Sequence, residues 1–90
     1  MYKLIITEFY RKRAKKFFTA HPELLKQYEK VLKLLCINPG HPSLRLHKLS
    51  GRLSGLFSIS INISYRMTIH FIISKKQIIP VDIGSDDQVY

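Results

Sequence analysis

The chain has 90 residues, 15 lysines and arginines against 6 aspartates and glutamates, a formal charge of +9, and a 46% hydrophobic composition. That length supports one small domain, buries only about 60% of the unfolded chain's surface, and leaves no room for a second core. One cysteine, Cys36, excludes an internal disulfide and a cysteine-rich zinc cluster and favours a reducing compartment. No apolar run approaches the roughly 18 residues that span a bilayer, and Leu4-Ile5-Ile6 is too short for a signal-peptide core. The expectation is a soluble, cytoplasmic protein with no membrane partner.

Taken in order, Tyr2-Lys3-Leu4-Ile5-Ile6-Thr7 is rich in β-branched and aromatic residues and predicts a strand, with Thr7 placed to cap a helix. From Glu8 to about Thr19, Tyr10, Ala14, Phe17 and Phe18 fall at helical spacing. Arg11, Lys12, Arg13, Lys15 and Lys16 fill most of the remainder, so this helix is amphipathic and very basic. His21-Pro22 interrupts it. Pro22 suits the first turn of a second helix with the stripe Leu24, Leu25, Tyr28, Val31, Leu32 and Leu35, which Asn38-Pro39-Gly40 ends. Cys36, near the end of that stripe, reads as packing rather than as a nucleophile.

Leu44 to Leu49 alternates with period two and predicts a short strand closed by Ser50-Gly51. Every odd position from Phe57 to Ile73 is then apolar, while the even positions from 58 to 70 are Ser58, Ser60, Asn62, Ser64, Arg66, Thr68 and His70. One strand of that length would far exceed the usual 5 to 6 residues or so, which makes this two strands with a turn near Asn62 to Ser64. A last strand spans about Gln77 to Ile83, with Ile79, Val81 and Ile83 on one side, and Gly84 begins a tail that ends at Tyr90. The order β-α-α-β-β-β-β predicts an α+β domain, a helix hairpin packed on one face of a small, mostly antiparallel sheet. The odd residues from 57 to 73 are expected to face the helices. Ser58, Ser60, Arg66, Thr68 and His70 then occupy a polar, basic face with no helix left to cover it, where a functional surface belongs.

The charge is unevenly placed. No acidic residue lies between Glu29 and Asp82, a stretch that holds Lys30, Lys33, Arg45, Lys48, Arg52, Arg66, Lys75 and Lys76. Such one-signed charge favours a polyanion, nucleic acid first, against the plainer reading of a solvated basic surface. Metal-ligand spacing and phosphate-cradling glycine loops are absent, so no metal or cofactor is expected. The remaining cations, imidazoles and phenol suit metal-free cleavage of RNA, in which the 2′-hydroxyl is aligned and deprotonated, the leaving oxygen is protonated and the growing charge is neutralised. Arg66, mid-strand among small polar residues, fits the phosphate clamp, or equally a surface ion pair. His47, between Arg45 and Lys48, fits a general acid or base, or a surface strand residue. His70 shares the face of Arg66 and ranks below His47. Tyr90 reads either as a base-stacking aromatic or as an anchor for the chain end.

Three segments together, Leu46-His47-Lys48-Leu49-Ser50-Gly51, then Gly55-Leu56-Phe57-Ser58-Ile59 followed by Tyr65-Arg66, and finally Asp82-Ile83-Gly84-Ser85-Asp86-Asp87-Gln88-Val89-Tyr90, resemble the RelE/YafQ branch of the RelE/ParE toxins of type II toxin–antitoxin systems. The resemblance covers nearly the whole chain in element order and size. It implies a ribosome-dependent endoribonuclease that cuts mRNA in the ribosomal A site through 2′-hydroxyl attack, giving a 2′,3′-cyclic phosphate, and that a cognate acidic antitoxin holds inactive. By position it implies His47 as acid or base, Arg66 as phosphate clamp and Tyr90 as stacking or proton-handling group; Asp86 is the candidate base, or a charge that repels the RNA phosphate, and Arg45, Lys48, Arg52 and His70 are the candidate RNA-binding residues. Asp86 stands where many relatives have histidine, and Ser60 and Ser64 stand where YafQ-like members have histidine and aspartate. Two alternatives stay open: a ParE-like, non-cleaving inhibitor of DNA gyrase, which does not require His47, Arg66 and Tyr90 as a set, and a ribosome-binding member with weak or no catalysis.

Overall fold

The computed structural model describes residues 1–85. In chain order it has β1 (Lys3–Leu4), α1 (Glu8–Ala20), a 3₁₀ turn (Pro22–Leu24), α2 (Leu25–Ile37), a second 3₁₀ turn (Pro42–Leu44), β2 (His47–Lys48), a third (Gly51–Leu53), β3 (Phe57–Ser60), β4 (Tyr65–Ile72), a fourth (Ile73–Lys75) and β5 (Gln77–Ser85). The sheet runs β1-β5-β4-β3-β2; β1 pairs parallel to β5 and every other pairing is antiparallel. This is the α+β architecture the pattern predicts.

Local chemistry sets the element ends. Thr7 caps α1, its Oγ1 accepting from the Tyr10 amide at 3.1 Å. Pro22 opens the 3₁₀ turn, where its missing N–H costs nothing, and that turn runs straight into α2. Asn62 makes the turn between β3 and β4: its Oδ1 accepts from the amides of Ser64 and Tyr65, both at 2.9 Å. The pairing that follows sets Ser60 opposite Arg66, Ile59 opposite Met67 and Ser58 opposite Thr68.

The helices cover the odd-numbered face. Tyr10, Val31, Leu35, Leu44, Ile59, Ile61, Met67, Ile69, Ile78 and Ile83 form the core, each large aliphatic side chain contributing about 1.5–3 kcal/mol by leaving water. Tyr10 carries a hydroxyl into it, within 2.7 Å of the Tyr28 hydroxyl and donating to Met67 Sδ at 3.2 Å. Gln27 of α2 donates to the Ile61 carbonyl at 3.2 Å. The end of α1 meets the start of β4 through rings, with Phe17 5.3 Å and His21 4.7 Å from Tyr65 between centroids.

Three expectations change. The strand predicted over Leu44 to Leu49 shrinks to His47–Lys48, which pair with Ser58 and Phe57. Pro42 opens a turn that the His41 ring caps by accepting from the Ser43 amide at 3.1 Å, and Arg45 takes a left-handed conformation, φ 50° and ψ 47°, that interrupts extension. In β5 a bulge lies between the pairs Thr68–Asp82 and Ile69–Pro80, leaving Val81 as the extra residue. That residue reverses the alternation, so Ile78 and Pro80, not Ile79 and Val81, share the core side with Ile83, and β5 continues to Ser85. Ile63 and Ile73 also leave the apolar face, because they lie in the β3–β4 connection and the fourth 3₁₀ turn, and both are exposed.

Burial, joined by the neighbouring Tyr28 phenol, raises the Tyr10 pKa far above its ordinary value, and burial raises that of Tyr28. The folded state therefore keeps protons that the unfolded chain loses above about pH 10, and their contribution to stability, complete below that pH, falls as pH rises, by about 1.4 kcal/mol per pH unit for Tyr10. Tyr10→Phe is expected to cost about 1–2 kcal/mol near neutral pH. It should also flatten the alkaline fall by one group's share, checked by urea unfolding of both proteins between about pH 9 and 11.

Candidate functional site

The face opposite the helices is organised around Arg66. Its position in β4 sets it between Ser60 of β3 and Gly84 of β5, neighbours too small to obstruct a long side chain. Nε donates to Ser58 Oγ at 2.7 Å and Nη2 donates to the Arg45 carbonyl at 3.2 Å. His47 joins the same group: its Nδ1 lies 3.4 Å from Arg66 Nη2 and 3.3 Å from the Arg45 carbonyl. These two contacts ask for opposite tautomers, since Nδ1 accepts in the first and donates in the second. The Arg45 carbonyl lies within reach of both side chains at the point where the left-handed turn at Arg45 redirects the chain into β2.

The polar face is less open than the alternation predicts. Ser58, Ser60 and Thr68 retain 0%, 9% and 2% of their exposure, so they form a floor rather than a solvated surface. Ser58 lies under the Arg66 guanidinium, and Ser60 turns its hydroxyl to the Asn62 carbonyl at 2.7 Å. Thr68 Oγ1 is buried beside them with no hydrogen-bond partner among the described residues.

The sequence-predicted residues thus divide. His47, Arg66 and Arg45 converge, Arg45 through its carbonyl, while the Arg45 side chain is exposed. Lys48 follows His47 and lines with it a shallow cleft of about 410 Å³, together with Leu49, Ser50 and Leu53. Arg52 is exposed on the third 3₁₀ turn. His70 is exposed further along β4, opposite Ile79, and stands apart from the Arg66–His47 group. Asp86 and Tyr90 lie outside the described residues. Sequence reasoning missed the part played by Ser58. The turn at Asn62 contained the signal, since a turn at 62–64 sets Arg66 across from Ser60 and therefore one step along the same face from Ser58.

A second cleft of about 410 Å³, lined by Arg13, Lys16, Phe17, Ala20, His21, Asp82 and Ile83, lies on the helix side and shares no residue with the Arg66 group. The Arg13–Asp82 ion pair, 3.3 Å long, joins two of its walls. Among the described residues, no three of His, Cys, Asp and Glu converge to hold a metal ion, and no helix is long and apolar enough to cross a membrane.

No family model matches the sequence and no curated protein is similar to it. Solved structures do match. Over 100% of this chain and 99% of that one, YafQ from Escherichia coli superposes with a TM-score of 0.80 at 12% identity. The chain has the RelE/YoeB-type toxin fold. A metal-bound toxin from Helicobacter pylori matches over the whole of both chains with a TM-score of 0.80 at 19% identity. The YoeB–YefM complex from Staphylococcus aureus matches over 93% of this chain and 95% of that one, with a TM-score of 0.71 at 18% identity.

The left-handed backbone at Arg45 is directly testable. Glycine adopts that conformation without strain, whereas a β-branched side chain opposes it by about 1–2 kcal/mol. Arg45→Gly should leave the melting temperature within about 2 °C of wild type, and Arg45→Val should lower it by about 4–8 °C, as read by calorimetry.

Proposed function

We propose that the protein is the toxin of a type II toxin–antitoxin pair, a single-domain, metal-independent endoribonuclease that cuts mRNA in the ribosomal A site and so stops translation. The observation that carries this reading is the juxtaposition of Arg66 and His47, 3.4 Å apart, on the sheet face opposite the helices. The shared fold with YafQ and with the toxin of the YoeB–YefM complex supports it.

In this reaction the RNA supplies its own nucleophile. The 2′-oxygen bonds to phosphorus, the bond from phosphorus to the 5′-oxygen breaks, and a proton leaves the first oxygen while another reaches the second. Arg66 neutralises the charge that develops on the phosphoryl oxygens. Its Nε and Nη2 donate to Ser58 and the Arg45 carbonyl, contacts that orient the guanidinium on this face. His47 moves a proton on one side of the phosphorus, imidazole being the side chain that titrates nearest neutral pH. Asp86 and Tyr90 are assigned the second proton transfer and the stacking of a base, on the strength of the resemblance alone. Arg45, Lys48, Arg52 and His70 hold flanking phosphates. With so few acid–base groups, in-line alignment of the message is left to the ribosome, which makes naked RNA a poor substrate.

A cytoplasmic, acidic antitoxin is the partner this charge balance fits, since a +9 domain attracts an oppositely charged segment that orders on binding. YoeB is itself in complex with YefM in one of the similar structures.

The test is to locate mRNA 5′ ends on programmed ribosomes with an empty A site, with and without the protein, beside naked RNA in EDTA. Discrete cuts on ribosomes only are expected. Arg66→Ala should reduce them by at least about 100-fold while its circular dichroism spectrum stays that of wild type. Cutting at the wild-type rate by this variant would refute the mechanism. No cutting by the folded wild type, together with stoichiometric inhibition of gyrase supercoiling, would establish the ParE-like alternative.

A further inference from the structure

We infer that Ser58 is a positioning residue for Arg66, and that the Ser58 hydroxyl with the Arg45 carbonyl forms a built-in socket for the guanidinium. The catalytic importance of Arg66 rests on the function proposed above; the socket itself does not.

Ser58 is wholly buried, in the middle of β3, on the same face as Arg66. A serine at a buried strand position is a poor choice on propensity and on transfer energy, because strands favour β-branched and aromatic residues and a buried hydroxyl must be bonded. Here the hydroxyl accepts from Arg66 Nε at 2.7 Å, the short distance expected when the donor is charged. The second anchor, the Arg45 carbonyl at 3.2 Å from Nη2, comes from a residue held in the left-handed region. The two acceptors fall on adjacent donors of one edge of the guanidinium, so together they fix its plane as well as its position. An arginine side chain has many rotamers, and a group that must meet a phosphate in one geometry gains rate when that freedom has been lost before substrate arrives. Both acceptors are neutral, so these contacts orient the guanidinium without cancelling its charge. Gly84 and Ser60, its two register neighbours, leave the space in which the side chain lies across the strands.

The readout is the Arg66 Nε–Hε signal in ¹⁵N-edited NMR of the wild type and of three variants: Ser58→Ala, Ser58→Thr and Ser58→Val. Threonine and valine match in volume and differ in the hydroxyl, so any crowding at this buried site is common to both. Wild type and Ser58→Thr should show a resolved, slowly exchanging Hε. In Ser58→Ala and Ser58→Val it should exchange at least about tenfold faster, the loss of a hydrogen bond to a charged group. In A-site cleavage the same two variants should lose about 10- to 100-fold in kcat with KM within about twofold, and Ser58→Thr should recover most of it. Equal Hε protection in Ser58→Ala and wild type overturns the socket, as does equal loss in the threonine and valine variants. Should the Hε pattern appear as expected while wild type cuts no message, the socket stands and the endoribonuclease reading falls.

Discussion

Two backbone hydrogen bonds to the Asn62 carboxamide set the register on which both faces of the sheet depend. By fixing the connection between β3 and β4, they place Ile59 against Met67 on one side and Ser58 within reach of Arg66 on the other. A slip of one residue would exchange the faces, sending the isoleucines to solvent and the arginine into the core. The apolar face resists that slip, because Ile59, Met67 and Ile69 are completely buried and each would forfeit its transfer energy. Packing on the helix side therefore supplies the stability that keeps the polar site in register on the far side.

The helix side has its own polar constraint. Tyr10 is almost completely buried, and its hydroxyl is tolerated there because Tyr28 and Met67 Sδ engage it. These contacts link α1, α2 and β4. The bulge in β5, the strand between β1 and β4, serves the same packing: one extra residue lets the strand present Ile78 and Pro80 to the core at one end and Ile83 at the other, while Gly84 and Ser85 stay paired with Arg66 and Tyr65. A strand of strict alternation would have turned Ile83 away from Met67.

On the far side, a cation is held by hydrogen bonds to neutral acceptors. Arg66 reaches across β3 to a buried serine and a carbonyl from the turn that precedes β2, and His47 is drawn to the same carbonyl. Three segments distant in sequence, 45–47, Ser58 and Arg66, thus share one hydrogen-bonded group. The other cations of the chain, spread over both helices, the edge strands and the short turns, add a long-range field that attracts polyanions but does not orient them.

The sequence by itself determined the helix hairpin, the Thr7 cap, the break at Pro22, the division of the long alternating run at Asn62 and the mostly antiparallel sheet, because each depends on periodicity or on capping chemistry within a few residues. It also singled out His47 and Arg66, since their residue types and flanks are legible without a fold. Only the tertiary structure decided that Leu44 lies in a turn and not a strand, since Pro42, the His41 cap and the left-handed Arg45 outweigh a period-two pattern. The same holds for the phase of β5, where one bulged residue reverses an alternation that looks regular in one dimension. It holds as well for the burial of Ser58 and Thr68, small polar residues that read as surface, with the Arg66 guanidinium bonded to Ser58. The Arg45 carbonyl as a partner of Arg66 was beyond local reasoning, because a hydrogen bond between residues 21 positions apart in the chain is fixed by register and by a turn's handedness, not by either residue's neighbours.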